Sequence, residues 1–560
     1  MALPSTTGPW SEDELLLMLE RLDLQQLRAD EEAAYNFAYK ELLQQPSALD
    51  FTLRLNLEAY AHTNTKDFTL LSDYIREPNR ANNLVDFDTE LRIIDHVYGL
   101  FTFSLGNTMV NKAVEAYPGG SPLLGSAFFG ETAFSTNVPV VPPAELSDIG
   151  FNFPIRSFAA FGGTGWSVQA GRDRLSWGPG ESGNFLVGDH IQYHNTVHTS
   201  FYNKNLKYTF NVSSFVSPNE YYTARNESGS FDGWSTEHSI VNAWRPYDGW
   251  PKLDGTNLFI AHRLEWRTLY NKLNLVLMEG VIYQNDTGAV DLQYILPFTF
   301  LHNQYRQENS NSILAFEADF TPIPFLNIYG QVVLDEYALA ETVPGKGDGA
   351  RPDGMGFMLG VKTAIPIAAG MLTGSVEGAV TTPYLYLRST NGGSDEQDMA
   401  MRPLNFVVAT RYFSANDNQF FYDESPLGYR WGNDAIVMNI NGGYERYGKW
   451  ALEANYMLMV HGTFDQWTIW GIVNVSEPPY NQTTPTTSHA NKDSYADPSA
   501  RSRNAVEVMN AFSLVGSWTI WRALKVYGQA DLVNIVHPEN IKTNKPITDL
   551  QFTLGVSYTF

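Results

Sequence analysis

The chain has 560 residues, and its 37 Lys and Arg against 61 Asp and Glu leave a formal net charge of −24, which excludes a nucleic-acid-binding surface. Charged residues make up 18% and aromatic residues 14%, fewer charges and more rings than a soluble globular chain carries, so much of the surface meets something other than water. No run reaches the roughly 20 apolar residues of a membrane-spanning helix, so a bilayer would have to be crossed with strands.

With 0 Cys, disulfides, thiolate chemistry and Cys-ligated zinc are excluded. Residues 1–10 lack the basic and apolar regions of a signal peptide, and the Leu15-Leu16-Leu17-Met18-Leu19 run is flanked by acids; this end reads as one from which a signal peptide has been removed. Residues 11–45 read as helix. Ser11 with Glu14 has capping-box spacing, in which each side chain would satisfy the other's backbone N–H. Leu15, Leu19 and Leu22, then Ala34, Phe37 and Leu42, recur at helical spacing on two short amphipathic segments that end before Pro46.

From Leu49 the period becomes two. Phe51, Leu53, Leu55 and Leu57 alternate with Thr52, Arg54, Asn56 and Glu58, giving one apolar and one polar strand face. The pattern returns at 312–320, 326–335 and 451–460, and most cleanly at 551–560, where Phe552, Leu554, Val556, Tyr558 and Phe560 share a face. A soluble sandwich would also alternate. Two further features favour a transmembrane barrel. Short turns at 203–205, 270–272, 322–324, 447–449 and 521–523 are separated by long connections at 217–257, 336–354, 388–402, 414–433 and 462–504, and aromatic residues gather beside the turns and strand ends. The fold expected is an all-β, antiparallel transmembrane barrel of about 18 strands (about 16 to 20) over residues 47–560, with a helical periplasmic element over 1–46. The terminal Phe560 is the type of ending read by the barrel-insertion machinery of the bacterial outer membrane.

Motifs for chemistry are few. Gly178-Pro179-Gly180-Glu181-Ser182-Gly183 matches a dinucleotide fingerprint literally, but Pro179 removes a donor and no helix pattern follows; it reads as a turn. His190, His194 and His198 share a face, yet next-but-one strand neighbours on that face lie roughly 13 Å apart, too far to share one ion unaided. The inward charges Arg54, Glu58, Arg263, Glu265, Arg267, Glu317, Asp319 and Asp335 are of mixed sign, and could form either a lumen-filling salt-bridge network or a transverse field in an open channel. Glu317 and Asp319 have a spacing compatible with a glycosidase pair, but alternate acids on any barrel wall share it, so no catalysis is expected.

Arg172-Asp173-Arg174-Leu175-Ser176-Trp177-Gly178-Pro179-Gly180, with Asn184-Phe185-Leu186-Val187 after it, resembles a segment of the capsule assembly family Wzi. The resemblance continues through His262-Arg263-Leu264-Glu265, Ile313-Leu314-Ala315-Phe316-Glu317-Ala318-Asp319 and Pro426-Leu427-Gly428-Tyr429-Arg430-Trp431-Gly432-Asn433-Asp434-Ala435. It implies an outer-membrane barrel with periplasmic helices and a lectin-like role in attaching capsular polysaccharide, without catalysis or cofactor. Trp177, Trp234, Trp244 and Trp250, with Asp232 and Asp248, are the candidate carbohydrate-binding residues, because an indole stacks on a sugar's C–H face while carboxylates take its hydroxyls. Expected partners are outer-membrane lipid and lipopolysaccharide, surface or capsular polysaccharide, the insertion machinery and other outer-membrane proteins. A porin-like channel, and a platform subunit of an outer-membrane assembly, are the alternatives.

Overall fold

The computed structural model describes residues 5–42, 48–68, 75, 82–93, 96–105, 133–137, 156–216, 255–285, 290–296, 299–301, 309–336, 353–388, 404–414, 419–466, 468, 483–488, 502–521 and 523–560. Eighteen antiparallel strands close a barrel: β1 (Leu49–His62), β2 (Val85–Ile93), β3 (Val97–Leu105), β4 (Ser157–Gly163), β5 (Trp166–Asp173), β6 (His194–Tyr202), β7 (Leu206–Ser214), β8 (Thr256–Thr268), β9 (Leu273–Asn285), β10 (Ser310–Ile323), β11 (Leu326–Glu336), β12 (Gly354–Ile367), β13 (Gly370–Thr381), β14 (Ala435–Arg446), β15 (Trp450–His461), β16 (Glu507–Trp521), β17 (Leu524–Val536) and β18 (Ile547–Thr559). Each pairs with its neighbours in sequence, and β18 closes on β1 with Leu57 opposite Val556. Phe134–Thr136 continues the wall beside Ala59–Ala61, beyond the point where the β1–β2 pairing ends.

Alternation sets which side chain faces where. Leu264, Trp266, Phe316, Leu359, Val376, Phe512 and Leu554 are exposed on the outer wall, while Arg263, Glu265, Glu317, Glu377, Ser513 and Thr553 between them are buried. An apolar belt of this extent outside a polar interior is stable only against lipid, and closure leaves no unpaired strand edge within it. Among the described residues no helix is long and apolar enough to cross a membrane.

The short turns share one rim. Helices α1 (Glu12–Leu19) and α2 (Ala29–Leu42) lie across it: Arg21 donates to the Lys204 carbonyl, Arg28 stacks over Phe325, and Phe37 stacks on Tyr447 with centroids 4.9 Å apart. The capping box is only half formed. Ser11 Oγ accepts from the Glu14 N–H at 3.2 Å, but the Glu14 carboxylate turns away to Lys207 Nζ at 2.8 Å. At the opposite rim the connections after β7, β11 and β15 match the expected 217–257, 336–354 and 462–504, those after β1, β3, β5 and β9 are not among the expected ones, and the expected pair 388–402 and 414–433 needs correction. Among the described residues, Val407–Ser414 and Gln419–Pro426 pair with each other and with no barrel strand, so no wall strand is described between Thr381 and Ala435.

The interior has two regions. Beside β8–β13 the lumen is filled: Trp177, Phe185, Leu186, Val187 and Ile191, from the connection between β5 and β6, pack on inward Phe259, Met278, Ala315, Val333 and Met358. Strand alternation alone gives no sign of this dry core inside the barrel. Toward the short turns of β14–β16, inward Glu453, Asn455, Val515, Ser517 and Thr519 are all incompletely covered.

Candidate functional site: the plug, its ion network and the long-loop mouth

The plug is held by close backbone approach. Gly188 N donates to Leu427 O, Leu427 N to Phe406 O and Phe406 N to Tyr386 O, each at 2.9 Å, so four stretches of chain from two connections form a stack inside the mouth. Tyr386 Oη donates to Phe185 O at 2.6 Å and accepts from Tyr429 N at 2.8 Å. A Cβ on Gly428 would lie 1.9 Å from Phe185 O, and one on Gly188 would lie 2.1 Å from Gly428 O, so neither position accepts a side chain. The segments around Trp177 and Gly428, which carry the sequence resemblance, are therefore interlocked halves of one structure.

The Gly178–Gly183 turn is not a phosphate cradle. The backbone N–H groups of Glu181 and Ser182 both donate at 2.8 Å to the Glu377 carboxylate, which also accepts from Tyr329 Oη at 2.7 Å, so the donors a phosphate would need are occupied. Glu377 is not among the inward charges that the sequence singles out; its one signal is an inward position on β13 between Ser375 and Ala379.

Residues 5–8, ahead of the helices, also enter the lumen. Thr7–Gly8 pairs antiparallel with Ser176–Trp177, Gly178 N donates to Thr6 O at 2.8 Å, and Ser5 Oγ donates to Glu265 at 2.7 Å. The lumen charges form a network rather than an open field here. Fully buried Arg263 reaches Glu317 at 2.9 Å and Glu265 at 3.2 Å, Gln331 donates to Glu317 at 2.9 Å, and Thr6 and Thr7 donate to Glu317 and Glu265. Arg267 lies 3.7 Å from Glu265, and Asp319 accepts from Asn327 at 3.3 Å. Glu317 and Asp319 are thus tied into wall contacts rather than facing a common substrate space. Across the barrel, Arg54 pairs with Asp88, and Glu58 accepts from Tyr60, from Tyr527 at 2.7 Å and from Asn82 at 2.8 Å. Asp335 is half-buried at the long-loop end of β11, beside Glu336, which pairs with Arg388 at 2.6 Å.

The candidate sugar-binding residues fare differently. Trp177 is 0% exposed, so it packs the plug and has no face for a sugar to stack on. Trp234, Trp244, Trp250, Asp232 and Asp248 lie outside the described residues. The histidines do not converge: His190 bonds Pro426 O at 2.7 Å, His194 packs edge-on against Phe215, and His198 contacts Ser200 at 3.3 Å and lies 6.4 Å from Trp177 between ring centroids. Among the described residues no three His, Asp or Glu side chains are placed to hold a metal ion.

At the mouth, Asp434 clasps the loops together. Its carboxylate accepts from Thr486 N at 3.0 Å, Phe464 N at 3.1 Å and Thr486 Oγ1, while its main chain takes a left-handed conformation, φ 55°, that Asp tolerates. Burial lifts this carboxyl to about 7 against the pull of those donors. Arg503 pairs with Asp465 at 2.6 Å beside the clasp, and Arg430 lies over the Trp431 ring at 4.9 Å.

The closed barrel has a counterpart of similar fold among solved structures. The outer-membrane protein Wzi of Escherichia coli, described as a carbohydrate-binding β-barrel involved in group 1 capsule assembly, superposes with a TM-score of 0.55 over 100% of this chain and 95% of its own, at 11% identity. The fold resembles that of Wzi. OccAB4 of Acinetobacter baumannii and OccK2 of Pseudomonas aeruginosa align over 92% and 91% of this chain and 99% and 97% of their own, at 7% and 8% identity, with TM-scores of 0.38 and 0.37. No protein-family profile and no curated protein sequence matches the chain.

Proposed function

We propose that this protein is a non-enzymatic outer-membrane barrel that binds surface or capsular polysaccharide at its long-loop face. One observation carries the reading: the lumen beside β8–β13 is a dry core built by Trp177, Phe185, Leu186, Val187 and Ile191, which a diffusion pore does not need. The likeness of fold to a carbohydrate-binding barrel supports the same choice of ligand. The aromatic and acidic residues of 231–250 would supply the sugar contacts. A porin-like channel is the second reading, supported by the incompletely covered inward faces of β14–β16.

Two measurements separate them. The full chain reconstituted in a planar bilayer is expected to be electrically silent, and large persistent conductance would overturn the closed-barrel reading. Purified protein is expected to retain capsular polysaccharide in a pull-down and to lose it when Trp234 and Trp250 are both changed to Ala; unchanged retention would move the site elsewhere.

A further inference from the structure

On the short-turn side of the plug, between the N-terminal segment and the turn at 176–181, lies a cavity of about 510 Å³. That is a size suited to one or two sugar rings, within the roughly 300–1,000 Å³ of small-molecule sites. Its wall includes Trp10, Arg174, Glu181, Asp189 and Lys362. Trp10 is 44% exposed, and its Nε1 donates to Ser5 O at 2.9 Å, which fixes the indole while leaving ring surface open. Lys362 Nζ is anchored on Pro179 O at 3.1 Å and lies 3.5 Å from Glu181, and Arg174 Nε is anchored on Gln192 O at 3.1 Å.

The charges decide the ligand class. Two cations and two carboxylates balance among these side chains, so they carry no net charge that would select an ion. The turn's own N–H groups are already used, Gly178 on Thr6 O, Gly180 on Asn184 Oδ1, and Glu181 with Ser182 on Glu377, so a phosphate or carboxylate finds no backbone cradle. What remains is a partly open indole ringed by side-chain donors and acceptors, the combination that suits a neutral polyol with one apolar face. We infer that this cavity is a second saccharide site, binding an uncharged hexose unit stacked on Trp10 and hydrogen-bonded by Glu181, Asp189, Arg174 and Lys362. The choice of a sugar rests on the carbohydrate reading above, whereas the site is separate from the long loops.

The test uses the full chain in detergent, titrated with glucose, galactose, mannose and N-acetylglucosamine by ligand-observed saturation-transfer NMR. At least one should bind, with affinity falling about ten-fold in Trp10→Ala, largely restored in Trp10→Phe, and unchanged in the Trp234→Ala, Trp250→Ala double variant. Should Trp10→Ala lose the compact migration of a folded barrel, Glu181→Gln decides instead: its plug contact runs through the backbone N–H, so the fold survives while sugar binding weakens. Absence of binding by every probe, or equal binding in the folded variants, overturns the inference. Polysaccharide retention by the long loops is read separately, so either proposal can fail without the other.

Discussion

Strands β10 and β15 alternate alike, with Phe316 and Leu452 exposed on the outer wall and a glutamate beside each facing inward. Glu317 on β10 is buried between Arg263, Gln331 and Thr6, whereas Glu453 on β15 stands exposed, with a hydrogen bond from Asn441. The same local pattern therefore leads to two electrostatic environments. What differs is the cover: the plug and residues 5–8 sit against β8–β13, so charges there lose water and must be matched by protein partners. Toward the short turns of β14–β16, water retains that role.

Four measurements test this contrast. Arg263→Ala leaves Glu265 and Glu317 buried without their shared cation, and should destabilise the barrel by about 3–5 kcal/mol, read as a lower denaturant midpoint for the vesicle-inserted protein. Trp177→Ala empties the centre of the plug core and should cost about 3–4 kcal/mol in the same assay; a loss under about 1 kcal/mol would show that the core collapses to fill the gap. At the mouth, the Asp434 carboxyl holds its proton up to about 7 when clasped and releases it near 3.8 when opened. The clasped state thus binds more protons between those values, so its stability falls as pH rises through this window and is lowest above it, by about 2–4 kcal/mol at most. Amide hydrogen-exchange protection at Phe464 and Thr486 should be correspondingly weaker at about pH 8 than at about pH 5.5; the opposite trend would mean that the donors outweigh burial. Smallest of all, Glu453→Ala should change stability by no more than about 0.5 kcal/mol, since its site is already hydrated.

The wall is legible in the sequence because lipid on one side and polar interior on the other impose a period of two on every strand, as at 551–560. The short turns are legible for the same reason, being the places where the period breaks. The plug is not. Residues 174–193 have no period, and their Gly, Pro and Asn content reads as a turn, because the residues that share a core with Trp177 come from β8–β15 and from Leu385, Tyr386, Leu404, Phe406, Leu427 and Tyr429. Trp177 fails as a sugar platform on this point. A tryptophan beside three turn-forming residues has no local mark of burial. The inward charges stand out as a set, but whether they pair or stay open depends on Ser5, Thr6 and Thr7, whose small hydroxyl side chains give no sign of reaching Glu265 and Glu317.

Closure by β1 and β18 has a bearing on biogenesis. The two strands that complete the cylinder are separated by 501 positions where Asn56 meets Ser557, and the N-terminal threonines contact wall residues as far as 311 positions away. The plug core too is built against distant strands, its members running from Leu175 to Met459. Seam and plug alike therefore rest on contacts far apart in sequence, whose loop-closure cost makes folding slow.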